Sequence, residues 1–141
     1  MKASYTFHRN RVQRREGQQR IPVLIADDSA RARAGLRALL ATLPEVDVVG
    51  EATNGKEAIR LVEETWPAIV LMDLLMPVMD GLEATRLIKQ RWPEVGVIIV
   101  TMHADSRGDA LAAGADVFVI KGDAPEQLLA AVLTGQEVSH P

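Results

Sequence analysis

The sequence contains no cysteine, and none of its apolar runs is long. The lack of cysteine excludes a disulfide framework, thiolate chemistry and a zinc site with cysteine ligands. No apolar run approaches the roughly 20 residues that span a bilayer, and the polar, basic first 20 residues lack the apolar core of a signal peptide. We therefore expect a cytoplasmic protein without membrane contact.

The remaining composition is typical of a soluble globular domain, with 48% apolar and 25% charged residues in 141 positions. Charge is distributed unevenly. Residues 1–20 contain six basic residues and one acidic residue (+5), whereas residues 21–141 contain ten basic and eighteen acidic residues (−8). A basic segment can contact nucleic acid or an acidic surface, but this one has little apolar material, which favours a disordered extension. We predict an extension at 1–20, one domain at 21–134 and a tail or linker remnant at 135–141.

Four short apolar runs each end in a reactive polar residue. Their sequences are IPVLIADD (21–28), IVLMD (69–73), VIIVT (97–101) and VFVIK (117–121). Such β-branched, non-alternating runs are typical of parallel strands that helices cover on both faces. Ligands of open parallel sheets bind outside the carboxyl ends of the strands. The pattern therefore predicts that three acids, a hydroxyl and an ammonium group gather at one edge of one sheet.

A repeated Pro indicates how the helices alternate with these strands. Leu43-Pro44, Trp66-Pro67 and Trp92-Pro93 each stand where a helix should stop and are each followed by strand-like residues. The result is five strands and five helices, with the polar VDVV run as an edge strand. Right-handed crossovers and one switch point favour the α/β, flavodoxin-like (βα)5 doubly wound parallel sheet with strand order 2-1-3-4-5.

Several helix boundaries can also be predicted. Ser29 should cap the first helix, with its arginines at 31, 33 and 37 facing water, and Asp80-Gly81 should open the third. Trp66 should lie on the buried side of the second helix. The fourth helix should be short and mobile, ended by Gly114. The last should carry Pro125 in its first turn, with Asp123 and Glu126 as a capping pair.

The predicted cluster of acids at the sheet edge indicates a cation site. Asp27, Asp28 and Asp73 would repel one another within a few ångströms, and a divalent cation relieves that repulsion. Mg²⁺ fits best, since it takes oxygen ligands and commonly uses one or two carboxylates with phosphate oxygens. Zinc would require Cys or His, and the three histidines are scattered along the chain.

The same group of residues predicts phosphoryl chemistry. A carboxylate can attack phosphorus to form an aspartyl phosphate, while a metal, a lysine and a hydroxyl stabilise the charge on the phosphoryl oxygens. Asp73 is the expected nucleophile because it stands alone after a central strand and leads into Met76-Pro77. Lys121 should pair with the phosphoryl group, and Thr101 should donate a hydrogen bond to it.

These motifs together resemble a known family. The segments IADDSARARAGLRALL, LMDLLMPVMDGLEATRLIK, VIIVTMH and GADVFVIKGDAPEQLL are similar, in order, to the receiver domain of two-component response regulators over about residues 21–134. The resemblance implies that Asp73 accepts a phosphoryl group from a sensor histidine kinase. It also implies that Asp28, Asp73 and the backbone carbonyl of Leu75 bind Mg²⁺, with Asp27 assisting through water.

The resemblance further implies a conformational switch. Thr101 corresponds to the switch hydroxyl, Phe118 to the switch aromatic and Lys121 to the family lysine. In such domains the face formed by the fourth helix, fifth strand and fifth helix changes partners, and we expect a homodimer on phosphorylation. MDGLEATRLIK and TMHADS resemble the subfamily with a C-terminal helix-turn-helix domain. The chain is then a single-domain regulator or the receiver part of a transcription factor, without direct DNA binding of its own.

Three alternative functions differ from this interpretation in the residues that they require. A phosphorylation-independent docking module of receiver fold would usually lack an acid, the threonine or the lysine, and none is missing. A phosphatase or phosphotransferase would place a second acid where Leu75 stands, so we expect catalysis only of the domain's own phosphorylation and dephosphorylation. A flavodoxin-type protein would need a glycine- and hydroxyl-rich phosphate loop instead of Asp27-Asp28.

Overall fold

The structure is a computed structural model that describes residues 20–136. Its strands are β1 (Ile21–Ala26), β2 (Val46–Ala52), β3 (Ile69–Met72), β4 (Gly96–Thr101) and β5 (Val117–Ile120). Its helices are α1 (Ala30–Leu40), α2 (Gly55–Thr65), α3 (Gly81–Arg91), α4 (Arg107–Ala112) and α5 (Pro125–Thr134), with a 3₁₀ turn at Ala104–Ser106 before α4. The predicted extension and tail lie mostly outside the described residues.

The five strands form one parallel sheet in the order β2-β1-β3-β4-β5. This confirms the predicted flavodoxin-like (βα)5 architecture and its switch point between β1 and β3. The polar β2 is an edge strand, as its sequence indicated. In contrast, every residue of β3 and β4 is buried, as expected for central strands that are covered on both faces.

Hydrophobic side chains form a separate cluster on each face of the sheet. On one face, side chains of β1, β3 and β4 pack with Ala58 and Val62 of α2, Ala84 and Ile88 of α3, and Ala110 of α4. On the other face, they pack with Leu40 of α1 and with Leu128 and Val132 of α5. Two apolar layers around one sheet hold the carboxyl ends of all five strands in fixed positions.

Side-chain caps fix where the first three helices begin. Ser29, Asn54 and Asp80 each accept a hydrogen bond from the backbone N–H three residues ahead, at 3.1, 2.8 and 2.9 Å. These bonds satisfy donors that the first turn of a helix leaves free. They confirm Ser29 as a cap and Asp80-Gly81 as the start of α3. The first helix ends at Leu40, however, before the predicted stop at Leu43-Pro44.

Two helix-end predictions were wrong. Trp66 is 53% exposed, because α2 ends at Thr65 and the left-handed conformation of Trp66 (φ 53°) takes it off the helical stripe. Asp123 does not cap α5 with Glu126. The N–H of Asp123 instead donates to the Ile120 carbonyl in the turn after β5, and Ala124 is the capping residue without a side-chain bond.

The predicted short length of α4, its end near Gly114 and the position of Pro125 were correct. The fourth helix has only six residues, and Gly114 follows its end with a φ of +106°, a conformation that favours glycine. Pro125 is the first residue of α5. Among residues 20–136, no helix is both long enough and apolar enough to cross a membrane.

Candidate functional site

Backbone hydrogen bonds continue the sheet for one residue beyond three of its strands. The N–H of Asp27 donates to the Ala52 carbonyl at 3.0 Å, and that of Asp73 donates to the Ala26 carbonyl at 2.9 Å. The N–H of Lys121 donates to the Thr101 carbonyl at 2.8 Å. These bonds fix the backbone from which each polar side chain projects, so the predicted gathering at the carboxyl edge of the sheet is confirmed.

The three acids lie together at this edge. One carboxylate oxygen from each of Asp27, Asp28 and Asp73 lies within 4.8 Å of the others. Asp27 is only 1% exposed, Asp73 is half-buried and Asp28 is exposed. The cluster therefore has an inner end, where charge is poorly solvated, and an outer end that is open to ions and ligands.

Lys121 joins the inner two carboxylates. Its ammonium Nζ lies 2.7 Å from Asp27 Oδ2 and 3.3 Å from Asp73 Oδ2. Because β5 and β1 are not neighbours in the sheet, the lysine side chain spans the end of the sheet to reach Asp27. The ammonium compensates part of the negative charge, and the same group is in position to contact an anion on Asp73.

Burial and charge shift the pKa values of two of these groups. Burial raises the pKa of Asp73, and the charge of Asp27 adds to this effect, which the Lys121 ammonium opposes. Burial alone would lower the pKa of Lys121, but its hydrogen bond to Asp27 and the charges of both aspartates raise it overall. Lys121 is therefore a permanent cation at neutral pH.

All three oxygens of Asp27 accept hydrogen bonds, and one of the donors is Arg33, which was predicted to face water. Asp27 Oδ1 accepts from the Ser29 N–H at 2.9 Å, and Oδ2 accepts from Lys121. The Asp27 carbonyl accepts from Arg33 Nη1 at 2.8 Å. The prediction that Arg33 faces water was wrong, since its side chain is only 17% exposed and also pairs with Glu51.

Helical spacing explains why Arg33 was misplaced. Arg33 lies off the apolar stripe of α1, and this position predicted that it faces solvent. It is, however, the fourth residue of the helix, where its side chain turns towards the end of β2. The signal that could have revealed it is Glu51, an acid inside a strand-like run, which pairs with both Arg33 and Arg37. The structure thus adds Arg33 to the surroundings of the site.

The predicted switch residues are both buried. Thr101 is fully buried at the end of β4, and its Oγ accepts a weak hydrogen bond from the His103 N–H at 3.3 Å. Phe118 is 6% exposed on β5, with the Arg107 guanidinium carbon 5.7 Å from its ring centroid. The structure thus places the buried Thr101 beside the Lys121 backbone and links Phe118 to the first residue of α4.

The loop after β3 presents Leu75 at the rim of the site. The Leu75 side chain is 61% exposed, and its carbonyl receives no hydrogen bond from residues 20–136. The N–H of Gly81 donates to the Leu74 carbonyl at 2.7 Å, which folds the loop back on itself. A role for the Leu75 carbonyl as a metal ligand stays a prediction that this geometry permits.

The donor set fits a hard divalent cation. Mg²⁺ binds oxygens at 2.0–2.1 Å in an octahedron, so its ligand atoms lie at most about 4.2 Å apart. Small rotations of the carboxylates would bring oxygens that are within 4.8 Å to that spacing. Both carboxylate oxygens of Asp27 already accept short hydrogen bonds, whereas Asp73 has a longer contact with Lys121 and Asp28 is exposed, so Asp28 and Asp73 are the better direct ligands.

Comparison with protein families decides the identity of the fold. The family model described as the response regulator receiver domain matches residues 23–133. The chain belongs to this family. A transcriptional regulatory protein of Bacillus subtilis (strain 168), YhcZ, is 44% identical over 109 residues, which cover 76% of this chain and 51% of that protein. The nitrate/nitrite response regulator NarL of Escherichia coli (strain K12) is 35% identical and covers 82% and 54%.

Solved structures agree with this assignment. A LuxR-family response regulator from Aurantimonas sp. SI85-9A1 matches this receiver domain with a TM-score of 0.79 and 37% identity, covering 86% of this chain and 91% of that chain. The isolated receiver domain of RcsB from Salmonella enterica serovar Typhimurium matches with a TM-score of 0.77 and 28% identity, covering 86% and 94%. The chain spans about half the length of the curated relatives it matches.

Proposed function

We propose that this receiver domain is a phosphorylation-dependent switch of a two-component system. In this proposal Asp73 accepts a phosphoryl group from a sensor histidine kinase, and the reaction requires Mg²⁺. The observation that carries the proposal is the contact of Lys121 with both Asp27 and Asp73 inside a cluster of three acids. The carboxylates repel one another and are suited to bind a metal ion, while the lysine ammonium beside them is suited to bind an anion.

The chain's own residues divide the work as follows. Asp73 supplies the nucleophilic oxygen, and its O–P bond forms as the P–N bond to the phosphohistidine of the kinase breaks and the imidazole leaves. Lys121 contacts the phosphoryl oxygens when they replace one of its carboxylate partners. Thr101, buried beside the Lys121 backbone, donates its hydroxyl to the phosphoryl group. Asp28, Asp73 and the Leu75 carbonyl would hold Mg²⁺, with Asp27 assisting through water. The metal would neutralise charge on the phosphoryl oxygens.

Two related structures support a role for this site in phosphorylation. The receiver domain of RcsB was solved in the presence of the phosphomimetic BeF3−. A CheX–CheY complex from Borrelia burgdorferi contains BeF3− and Mg²⁺, and its matching chain is 25% identical over 82% of this chain with a TM-score of 0.75. The site of the present domain has the carboxylates, the lysine and the hydroxyl that such ligands would need.

The output would pass through the face formed by α4, β5 and α5. Phe118 and Arg107 connect β5 to α4, and Thr101 pairs with Ile120 across the β4–β5 ladder. A new anion at Asp73 that attracts the Thr101 hydroxyl would therefore alter the packing of this face. We propose that the altered face supports a homodimer and controls transcription through an output domain or partner. This domain itself would not bind DNA directly or turn over an external substrate, and it would act in the cytoplasm.

The proposal is tested by incubating the chain with acetyl phosphate and Mg²⁺ and measuring its intact mass. We expect a gain of one phosphoryl group that EDTA prevents. The gain should disappear in Asp73→Ala and persist in Asp47→Ala, a matched variant of an exposed aspartate on β2. A chain that binds Mg²⁺ without forming an adduct would instead be a phosphorylation-independent docking module of receiver fold.

A further inference from the structure

The Arg33 side chain bonds a backbone carbonyl of the loop after β1, which carries Asp27 and Asp28. Its Nη1 donates to the Asp27 carbonyl at 2.8 Å, while its Nε donates to Glu51 Oε1 at 3.1 Å. The side chain is only 17% exposed, and Arg37 holds the other oxygen of Glu51 at 2.6 Å. One guanidinium therefore ties the loop after β1 to the edge strand β2.

The bonded carbonyl belongs to the peptide that joins Asp27 to Asp28. Rotation about the Asp27 Cα–C bond would move this carbonyl and the Asp28 Cα together, and with them the Asp28 carboxylate. Lys121 holds the Asp27 side chain, and the Ser29 N–H closes a turn onto Asp27 Oδ1. The Asp28 carboxylate is exposed and lies at the outer end of the acid cluster, so the backbone that carries it is the main support of its position. Arg33 adds a side-chain bond to the carbonyl of the Asp27–Asp28 peptide, whose preceding N–H already bonds Ala52.

We infer that Arg33 is a positioning residue for the metal site, and that its bond to the Asp27 carbonyl orients the Asp28 carboxylate towards the cation. This inference rests on the proposed Mg²⁺-dependent function. Partners of metal ligands commonly change metal affinity by 10- to 100-fold when removed, because a ligand that must be ordered on binding binds less well. Arg33 acts here through the main chain and does not itself touch the metal.

Charge alone predicts the opposite effect. Arg33 and Mg²⁺ are both positive, so removing the guanidinium would strengthen Mg²⁺ binding if only Coulomb repulsion mattered. A positioning role predicts weaker binding. Arg37 provides the matched control, because it carries the same charge on the same helix and bonds the same Glu51 but does not contact Asp27. The two arginines therefore separate loss of orientation from loss of charge.

The experiment is calorimetric titration of Mg²⁺ into the full chain and into the Arg33→Met and Arg37→Met variants. Methionine keeps an apolar stem of similar length, and urea unfolding will verify that each variant is folded. We expect Arg33→Met to raise the Mg²⁺ dissociation constant by about tenfold. Arg37→Met should leave it unchanged or slightly lower. Phosphorylation of Arg33→Met by acetyl phosphate should recover at saturating Mg²⁺, because Asp73 and Lys121 are untouched.

The other possible results distinguish failure of the positioning role from failure of the proposed function. If Arg33→Met binds Mg²⁺ as tightly as the parent or more tightly, the positioning role is overturned while the proposed function stands. Equal weakening by Arg37→Met would also overturn it, because Arg37 does not touch the loop. If Arg33→Met is unfolded, Arg33→Lys, which keeps the charge but lacks the two separate nitrogens that bond Glu51 and the Asp27 carbonyl, must itself raise the dissociation constant. A parent chain that neither binds Mg²⁺ nor gains a phosphoryl group would overturn the function and the inference together.

Discussion

Lys121 Nζ and Asp27 Oδ2 lie 2.7 Å apart, although 94 residues separate them in the chain. The pair joins the end of β5 to the end of β1. The Asp73 carboxylate also contacts the same ammonium, at 3.3 Å. Asp27 is almost fully buried. Loss of the lysine would leave a buried carboxylate without its cation, beside two others.

We therefore predict that Lys121→Met destabilises the domain in the absence of metal. Removing one partner of a buried ion pair typically costs about 3 kcal/mol, and we expect a loss of roughly 2–3 kcal/mol because Lys121 is partly exposed. Mg²⁺ should restore part of the loss, since it supplies the missing positive charge. Urea unfolding with and without Mg²⁺ measures both effects.

Lys56→Met serves as the control for this experiment, because Lys56 is exposed on α2. It should change the free energy of unfolding by less than about 0.5 kcal/mol. If Lys121→Met is as stable as Lys56→Met in EDTA, the contact with Asp27 does not stabilise the fold.

Asp73 should make the folded domain less stable at neutral pH. Its pKa is raised in the folded state, chiefly by burial. The folded protein thus holds this proton to higher pH than the unfolded chain does. The contribution of Asp73 to stability consequently falls as pH rises from its ordinary value of 3.8 through its folded-state pKa. Well below 3.8 the carboxyl group is protonated in both states and the penalty is absent, and near that value most of the penalty is already gone.

Asp73→Asn should therefore be more stable than the parent at pH 7, and most of this gain should vanish at pH 3.5. Urea unfolding of both proteins at the two pH values, in EDTA, checks the prediction. Equal stabilisation at both pH values would attribute the effect to amide packing and would contradict the assignment to charge.

The polar residues of the site were predictable from sequence because strand ends are a topological property. Each apolar run stops at one residue, and a parallel sheet brings all such stops to one edge. Asp73 and Lys121 could thus be placed together without any knowledge of the side chains between them. The roles assigned to them follow from chemistry and stay predictions until phosphorylation is measured.

The environments of Arg33 and Trp66 were predicted wrongly because helical periodicity identifies only the apolar stripe of a helix. Whether an arginine beside that stripe faces water depends on what the next strand offers, and here Glu51 and the Asp27 carbonyl provide acceptors. Trp66 left the stripe because α2 ended one residue before it. Both outcomes depend on contacts between elements, which a local pattern does not contain.

Gly81 supports the loop that carries Asp73. A Cβ atom at this position would overlap the Asp73 carbonyl oxygen and crowd the Leu74 Cα at 2.9 Å. We predict that Gly81→Ala costs about 1–3 kcal/mol, because backbone atoms must move to make room, and that it impairs Mg²⁺ binding. Urea unfolding and Mg²⁺ titration measure these effects.

Gly35→Ala is the matched control, since Gly35 lies in the exposed part of α1 and a Cβ there meets nothing within 4 Å. That change should stabilise the domain by roughly 0.5–1 kcal/mol through helix propensity and leave Mg²⁺ binding unaltered. A Gly81→Ala protein as stable as the parent would show that the β3–α3 loop adapts at no cost.

Leu75 should set the lifetime of the phosphoryl group. It is a bulky apolar side chain, 61% exposed, two residues after Asp73, where it can shield the acyl phosphate from attacking water. An asparagine there would bind and orient water instead, so we expect Leu75→Asn to speed autodephosphorylation several-fold while phosphorylation still occurs. The measurement is loss of the mass adduct over time after acetyl phosphate is removed.

Leu111→Asn is the control for this change, because Leu111 is also an exposed leucine but lies on α4. Its adduct should decay at the parental rate. The physical distinction is one of position, since only a side chain beside Asp73 can alter the water that reaches phosphorus. If Leu75→Asn dephosphorylates no faster than Leu111→Asn, the rim leucine does not protect the phosphoryl group, and the barrier to hydrolysis lies with Lys121 and the metal ligands.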